Sequence, residues 1–115
     1  MTDKSFVRVE VSPTFKRNVK ALGKKYRRIR QDVEPVIEQL RNGELPGDRI
    51  TGTGEQIFKL RVKNSDLSKG KSGGYRLIYY CQTATGIVLL TIYTKSEQTN
   101  ITAADIKKII SQCES

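Results

Sequence analysis

The sequence contains no histidine. That absence removes the Ser-His-Asp type of hydrolase, which needs an imidazole to carry a proton between nucleophile and leaving group. Cysteine is nearly as scarce, with Cys81 and Cys113 alone and far apart. A zinc site built from His and Cys ligands is therefore excluded, and no metal or cofactor is expected. The same two cysteines are expected to be buried free thiols in a reducing cytosol. The N-terminal Met-Thr-Asp-Lys-Ser lacks the apolar core of a signal peptide. No apolar run reaches the length of a membrane span, so a cytoplasmic protein without a membrane partner is expected. Acidic residues are few as well, and Glu55, Asp66 and Glu97 stand apart in turns or loops, which argues against a two-metal nuclease site.

What is present is basic. There are 21 Lys and Arg against 12 Asp and Glu, a net charge of +9 on 115 residues. Such an excess points to nucleic acid, an anionic surface or an acidic protein as partner. The length fits a single domain over residues 1–115, large enough for a core without disulfides.

Along the chain, residues 5–11 alternate apolar and polar and predict a strand. Ser12-Pro13 then supplies an N-cap and a first-turn proline. Phe15, Val19 and Leu22 follow at helical spacing, and Gly23 marks the end. Tyr26, Ile29, Val33, Val36, Ile37 and Leu40 predict a second helix to about Arg41. Pro35 fits its first turn if Asp32 is the N-cap, and interrupts the helix if it starts near Arg27. Between Lys16 and Arg30 the sequence is rich in Lys and Arg and has no acid. This run reads either as a solvated helix face or as a surface steering toward a polyanion. Gly43 to Gly54, with Pro46 and Asp48, reads as a loop. Strands are predicted over 56–63, 74–82 and 87–94, with a turn at Thr83–Gly86. Thr102 with Asp105 resembles a capping box, and Ile106, Ile109, Ile110 and Cys113 form the stripe of a last helix. The order β-α-α-β-β-β-α, with three strands joined by short connections, predicts an α+β fold with an antiparallel central sheet packed against helices.

The stretch 56–80 carries the chemistry. Phe58, Leu60 and Val62 alternate with Lys59, Arg61 and Lys63, so one strand face is apolar and the other cationic. Lys59, Arg61, Lys63, Lys69, Lys71 and Arg76 share this stretch with one acid, Asp66. Gly70-Lys71-Ser72 resembles the end of a P-loop, but the required earlier glycine is Ser65 and a strand follows, so the motif fails. A set of Lys, Arg and Tyr can run phosphoryl transfer on RNA without metal. The 2′-hydroxyl attacks the neighbouring phosphate, cations neutralise the pentacovalent state, and an acid protonates the leaving 5′-oxygen. Arginine suits the phosphate because it is planar, bidentate and always charged. The other reading is a basic face that only binds an acidic partner.

Four segments carry a resemblance. They are Gly52-Thr53-Gly54, Lys59-Leu60-Arg61-Val62, the run from Lys69 to Tyr80 containing Gly-Gly-Tyr-Arg-Leu-Ile-Tyr-Tyr, and Leu89 to Glu97. Together they resemble the RelE/ParE toxin superfamily, most closely its RelE/HigB-like branch, over nearly the whole chain. The resemblance implies a type II toxin that enters the ribosome, cuts messenger RNA and is silenced by a cognate antitoxin. Operator DNA would be met only through the antitoxin complex. Residue by residue it implies Lys59, Arg61 and Arg76 as catalytic cations and places Lys71 in an RNA-facing loop. The later arginine of the superfamily falls at Ser96 and its tyrosine near the last helix at Thr102. Tyr93 or Tyr80, or a lysine, would then supply the proton; Tyr93 is taken as the catalytic candidate. Lys63, Lys69, Lys71, Lys95, Lys16, Lys20 and Lys24 are expected to meet RNA or ribosome. The alternative within the superfamily is a ParE-type poison that docks on DNA gyrase without chemistry, and a third is an inactive corepressor.

Overall fold

The computed structural model describes residues 7–66, 74–83, 85–95 and 101–114. The elements are β1 (Arg8–Val11), α1 (Pro13–Gly23), α2 (Ile29–Arg41), β2 (Asp48–Ile50), β3 (Ile57–Val62), β4 (Tyr75–Thr83), β5 (Gly86–Thr94) and α3 (Ala103–Glu114). The α+β expectation holds, with one addition: the stretch read as a loop over 43–54 contains the short strand β2. The sheet order is β1-β5-β4-β3-β2. Strands β2 to β5 form an antiparallel meander, while β1 pairs with β5 in parallel at the far edge.

The helices begin where local chemistry dictates. Ser12 caps α1: its hydroxyl accepts from the Phe15 amide at 2.9 Å, and Pro13 fills a position whose amide has no helical partner. α2 starts at Ile29, so Asp32 is not its N-cap and Pro35 lies inside it. The proline faces solvent, where the carbonyl freed one turn back, that of exposed Gln31, can be hydrated. Instead of capping, Asp32 accepts the Ser65 amide, and Asp66 accepts the Arg28 amide just before the helix. The two carboxylates thus tie the end of β3 to the start of α2. At α3, the Thr102 hydroxyl accepts from the Asp105 amide, as the capping pattern predicts.

Both faces of the sheet are used. α1 and α2 bury Phe15, Leu22, Ile29, Val33, Val36 and Leu40 against Val62, Tyr75, Leu77, Tyr79, Ile87 and Leu89. Aromatic pairs fix this side: Phe58 stacks on Tyr79 at 5.2 Å, and Tyr26 meets Tyr75 edge-on at 5.9 Å. α3 covers part of the other face, packing Ile106 and Ile110 with Ile57, Ile78, Tyr80, Val88 and Leu90. Among the described residues no helix is long and apolar enough to cross a membrane.

Candidate active site

The α3 side of the sheet holds the cationic face. Strand alternation places Lys59 and Arg61 of β3 on the side of Ile57, and Arg76 of β4 on the side of Ile78 and Tyr80. Arg61 lies directly opposite Arg76, and Arg76 directly opposite Tyr93. Three strands therefore present Arg61, Arg76 and Tyr93 in one row, with neighbouring side chains about 5 Å apart at Cβ. Lys59 stands one row along, opposite Ile78.

Glycine explains how β4 enters this register. A Cβ on Gly74 would lie 2.6 Å from the Val62 carbonyl oxygen. Only a residue without a side chain lets the chain come in so close to β3 and then deliver Arg76 opposite Arg61. The Gly-Tyr-Arg order thus has a geometric reason: glycine for approach, tyrosine for the core, arginine for the open face.

Tyr93 reaches the row through a bulge. Ile87 and Leu89 of β5 pack on the α1/α2 side. Plain alternation would send Tyr93 to that side too. The register slips between Tyr79↔Leu89 and Ile78↔Thr91, which leaves Leu90 as an extra residue in β5. A one-residue slip exchanges faces, and Tyr93 packs with the α3 core instead. The bulge is held from outside the strand. The buried Ser12 hydroxyl donates to the Leu90 carbonyl at 2.7 Å, and the Ser12 amide to that of Leu89 at 2.9 Å. One serine therefore caps α1 and pins the irregularity that aims Tyr93.

The electrostatics of the row are unusual. Two arginines face each other and, among the described residues, neither has an acidic partner, an arrangement that repels. Arg76 is half-buried and Tyr93 is 4 % exposed. Arg76 Nη1 and the Tyr93 hydroxyl are both buried and have no hydrogen-bond partner among the described residues. Burial pushes the Tyr93 phenol up, opposed by the Arg76 charge beside it. The phenol stays protonated at neutral pH and can donate. Buried polar groups are normally satisfied; here two residues that face each other across β4 and β5 each carry an unsatisfied one.

The other predicted site residues fall elsewhere. Tyr80 shares the face, but its hydroxyl donates to Glu55, four residues along β4 from Arg76. It is not part of the row, and Tyr93 is the tyrosine that meets Arg76. Tyr75 and Tyr79 point to the helices. Lys63 and Lys95 are exposed just past the ends of β3 and β5. Lys16, Lys20 and Lys24 are exposed on and after α1, on the opposite side of the sheet from Arg76. Lys16 and Lys20, with Arg30 and Glu34, rim an apolar groove floored by Phe15, Val19, Val33 and Ile37. Lys69, Lys71 and Ser96 lie outside the described residues. Sequence reasoning passed over Ser12 as anything but a cap, and Asp48 as anything but a loop residue. No sequence periodicity marks either role.

A family model described as the RelE toxin of the RelE/RelB toxin-antitoxin system matches residues 10–114. Among solved structures, the chain is similar to a free-state variant of the E. coli toxin RelE in which two arginines are replaced by alanine. The identity is 14 %, the match covers 94 % of each chain, and the TM-score is 0.54. At that identity the structural likeness speaks for the fold alone. The family match spans nearly the whole chain, strands and row included, and the protein belongs to the RelE toxin family of toxin–antitoxin systems.

Proposed function

We propose that this toxin is an endoribonuclease that cuts messenger RNA on the ribosome and that an antitoxin silences it. The observation that carries this reading is the row Arg61–Arg76–Tyr93 with its two orphaned buried polar atoms. A phosphate seated there relieves the arginine–arginine repulsion and satisfies both orphans at once. Arg61 and Arg76 hold the scissile phosphate and neutralise the charge that develops on its equatorial oxygens. Lys59, half-buried one row away, adds positive potential. The 2′-oxygen forms the new bond to phosphorus, and the Tyr93 phenol gives its proton to the 5′-oxygen as that bond breaks. The products are a 2′,3′-cyclic phosphate and a 5′-hydroxyl.

The partners follow from charge. Ribosome and mRNA are polyanions that a +9 chain meets fast and in a salt-dependent way. Family membership brings an antitoxin partner. The apolar groove rimmed by Lys16, Lys20 and Arg30 suits an acidic amphipathic segment of such a partner. Expression of the toxin in growing cells, followed by mapping of mRNA ends, tests the reading. New ends bearing 5′-hydroxyls within translated regions support it. Growth arrest with intact mRNA supports docking on another target, as in a gyrase poison, and overturns it.

A further inference from the structure

A cleavage site of this kind needs a base as well as an acid, and β2 brings a carboxylate to the face. Asp48 lies directly opposite Lys59 in the antiparallel β2–β3 pair, so the two side chains share the cationic face. Two neighbouring contacts fix that register. The Tyr79 hydroxyl donates to the Pro46 carbonyl and anchors the chain just before β2. Gly47 follows with φ +97°, and a Cβ there would lie 2.4 Å from the Lys59 carbonyl oxygen. Only glycine permits this approach, and the next residue is then set against Lys59. Ile50, two residues on, packs against the α3 core and holds the far end.

Asp48 also differs from the carboxylates around it. Asp32 and Asp66 are engaged by the Ser65 and Arg28 amides, and Glu55 by the Tyr80 hydroxyl. Asp48 is exposed and has no ion-pair or hydrogen-bond partner among the described residues. Among the described residues β2 is the edge strand of the sheet and pairs with β3 alone. The charged groups facing Asp48 are Lys59 directly across and Arg61 on the diagonal; Arg49 points to the other face.

We propose that Asp48 is the general base of the cleavage reaction, a role that rests on the ribonuclease reading above. The placement fits in-line displacement. Asp48 on β2 and Tyr93 on β5 flank the arginines of β3 and β4, so proton acceptor and proton donor come from opposite sides of the phosphate. An Asp48 carboxylate oxygen takes the proton of the 2′-hydroxyl. The freed electron pair forms the 2′-oxygen–phosphorus bond, the phosphorus–5′-oxygen bond breaks, and the leaving oxygen takes the Tyr93 proton. Asp48 ends protonated and Tyr93 ionised, and exchange with water restores both.

Single-turnover cleavage of translated mRNA by wild type, Asp48→Asn and Asp48→Glu, measured across pH, tests the assignment. Asp48→Asn should fold normally, bind ribosomes at least as tightly as wild type, and cut about 10²-fold more slowly or worse. The acid limb of the wild-type profile should vanish in Asp48→Asn and persist, at reduced rate, in Asp48→Glu. Wild-type cutting with an unchanged Asp48→Asn rate overturns the base assignment alone. A uniformly lower rate that keeps the acid limb also overturns it, since Asp48 would then only position Lys59. A wild-type protein that cuts no RNA overturns this proposal and the ribonuclease reading together.

Discussion

Arg76 and Tyr93 face each other across β4 and β5 because Leu90 is an extra residue in β5. Without that bulge Tyr93 would point into the α1/α2 core and Arg76 would face a different side chain. The candidate site therefore depends on a backbone irregularity two turns of pleat away, held by Ser12 from the start of α1. Helix cap, bulge and site form one connected unit.

Ser12→Ala is expected to destabilise the protein by about 1–3 kcal/mol. It removes the α1 cap and leaves the Leu90 carbonyl buried without its donor. Urea unfolding reads the loss directly. The same variant should lose cleavage activity under conditions where it is still folded, because the bulge no longer fixes Tyr93. Full activity in the folded variant would separate the bulge from the site.

Tyr93→Phe should divide stability from activity. The phenol oxygen is buried without a partner, so its removal should leave the melting temperature unchanged or raise it, by up to about 1 kcal/mol in stability. Cleavage should fall about a hundredfold, the lower end of what a general acid supplies. A destabilised Tyr93→Phe protein would mean that the hydroxyl has a structural partner.

Alkaline pH should unfold the protein for a defined reason. Burial holds Tyr75, Tyr79 and Tyr93, and the Cys81 thiol, above their ordinary ranges. These groups release protons more readily once unfolded, so their contribution is complete below the unfolded values and is lost as pH rises past them. Melting temperature should stay level up to about pH 8, begin to fall at about pH 9, where an unfolded cysteine ionises, and fall more steeply above about pH 10, where free tyrosine ionises. A flat profile to pH 11 would show that these tyrosines reach solvent.

Charge reversal at Lys16, Lys20 and Lys24 should slow association with ribosomes and leave single-turnover cleavage unchanged, since these lysines lie across the sheet from Arg76. Association of the wild type should weaken steeply between low and moderate salt. Comparable losses in the cleavage step would place the lysines at the site.

Much of this was legible in the sequence. The alternation of Phe58, Leu60 and Val62 with Lys59 and Arg61 fixed the two faces of β3. Ser12-Pro13 and Thr102 marked helix starts that the structure confirms. Three features left no local trace. β2 is only three residues long, too short for a period, and its glycine- and proline-rich setting reads as a loop. The bulge is hidden because β5 is buried along nearly its whole length, so apolar residues occupy both faces and a slip changes nothing in the pattern. The start of α2 depended on Asp66, a residue far along the chain that engages the Arg28 amide. Each is a tertiary event, set by what packs against the segment rather than by the segment itself.

The central claim is that Arg76 acts on a phosphate. Primer extension on a translated mRNA, comparing wild type with Arg76→Ala at concentrations where both occupy ribosomes, tests it most directly. Cleavage should fall about a hundredfold or more, while melting and antitoxin binding stay as in wild type. A folded Arg76→Ala protein that cuts at the wild-type rate would contradict the account.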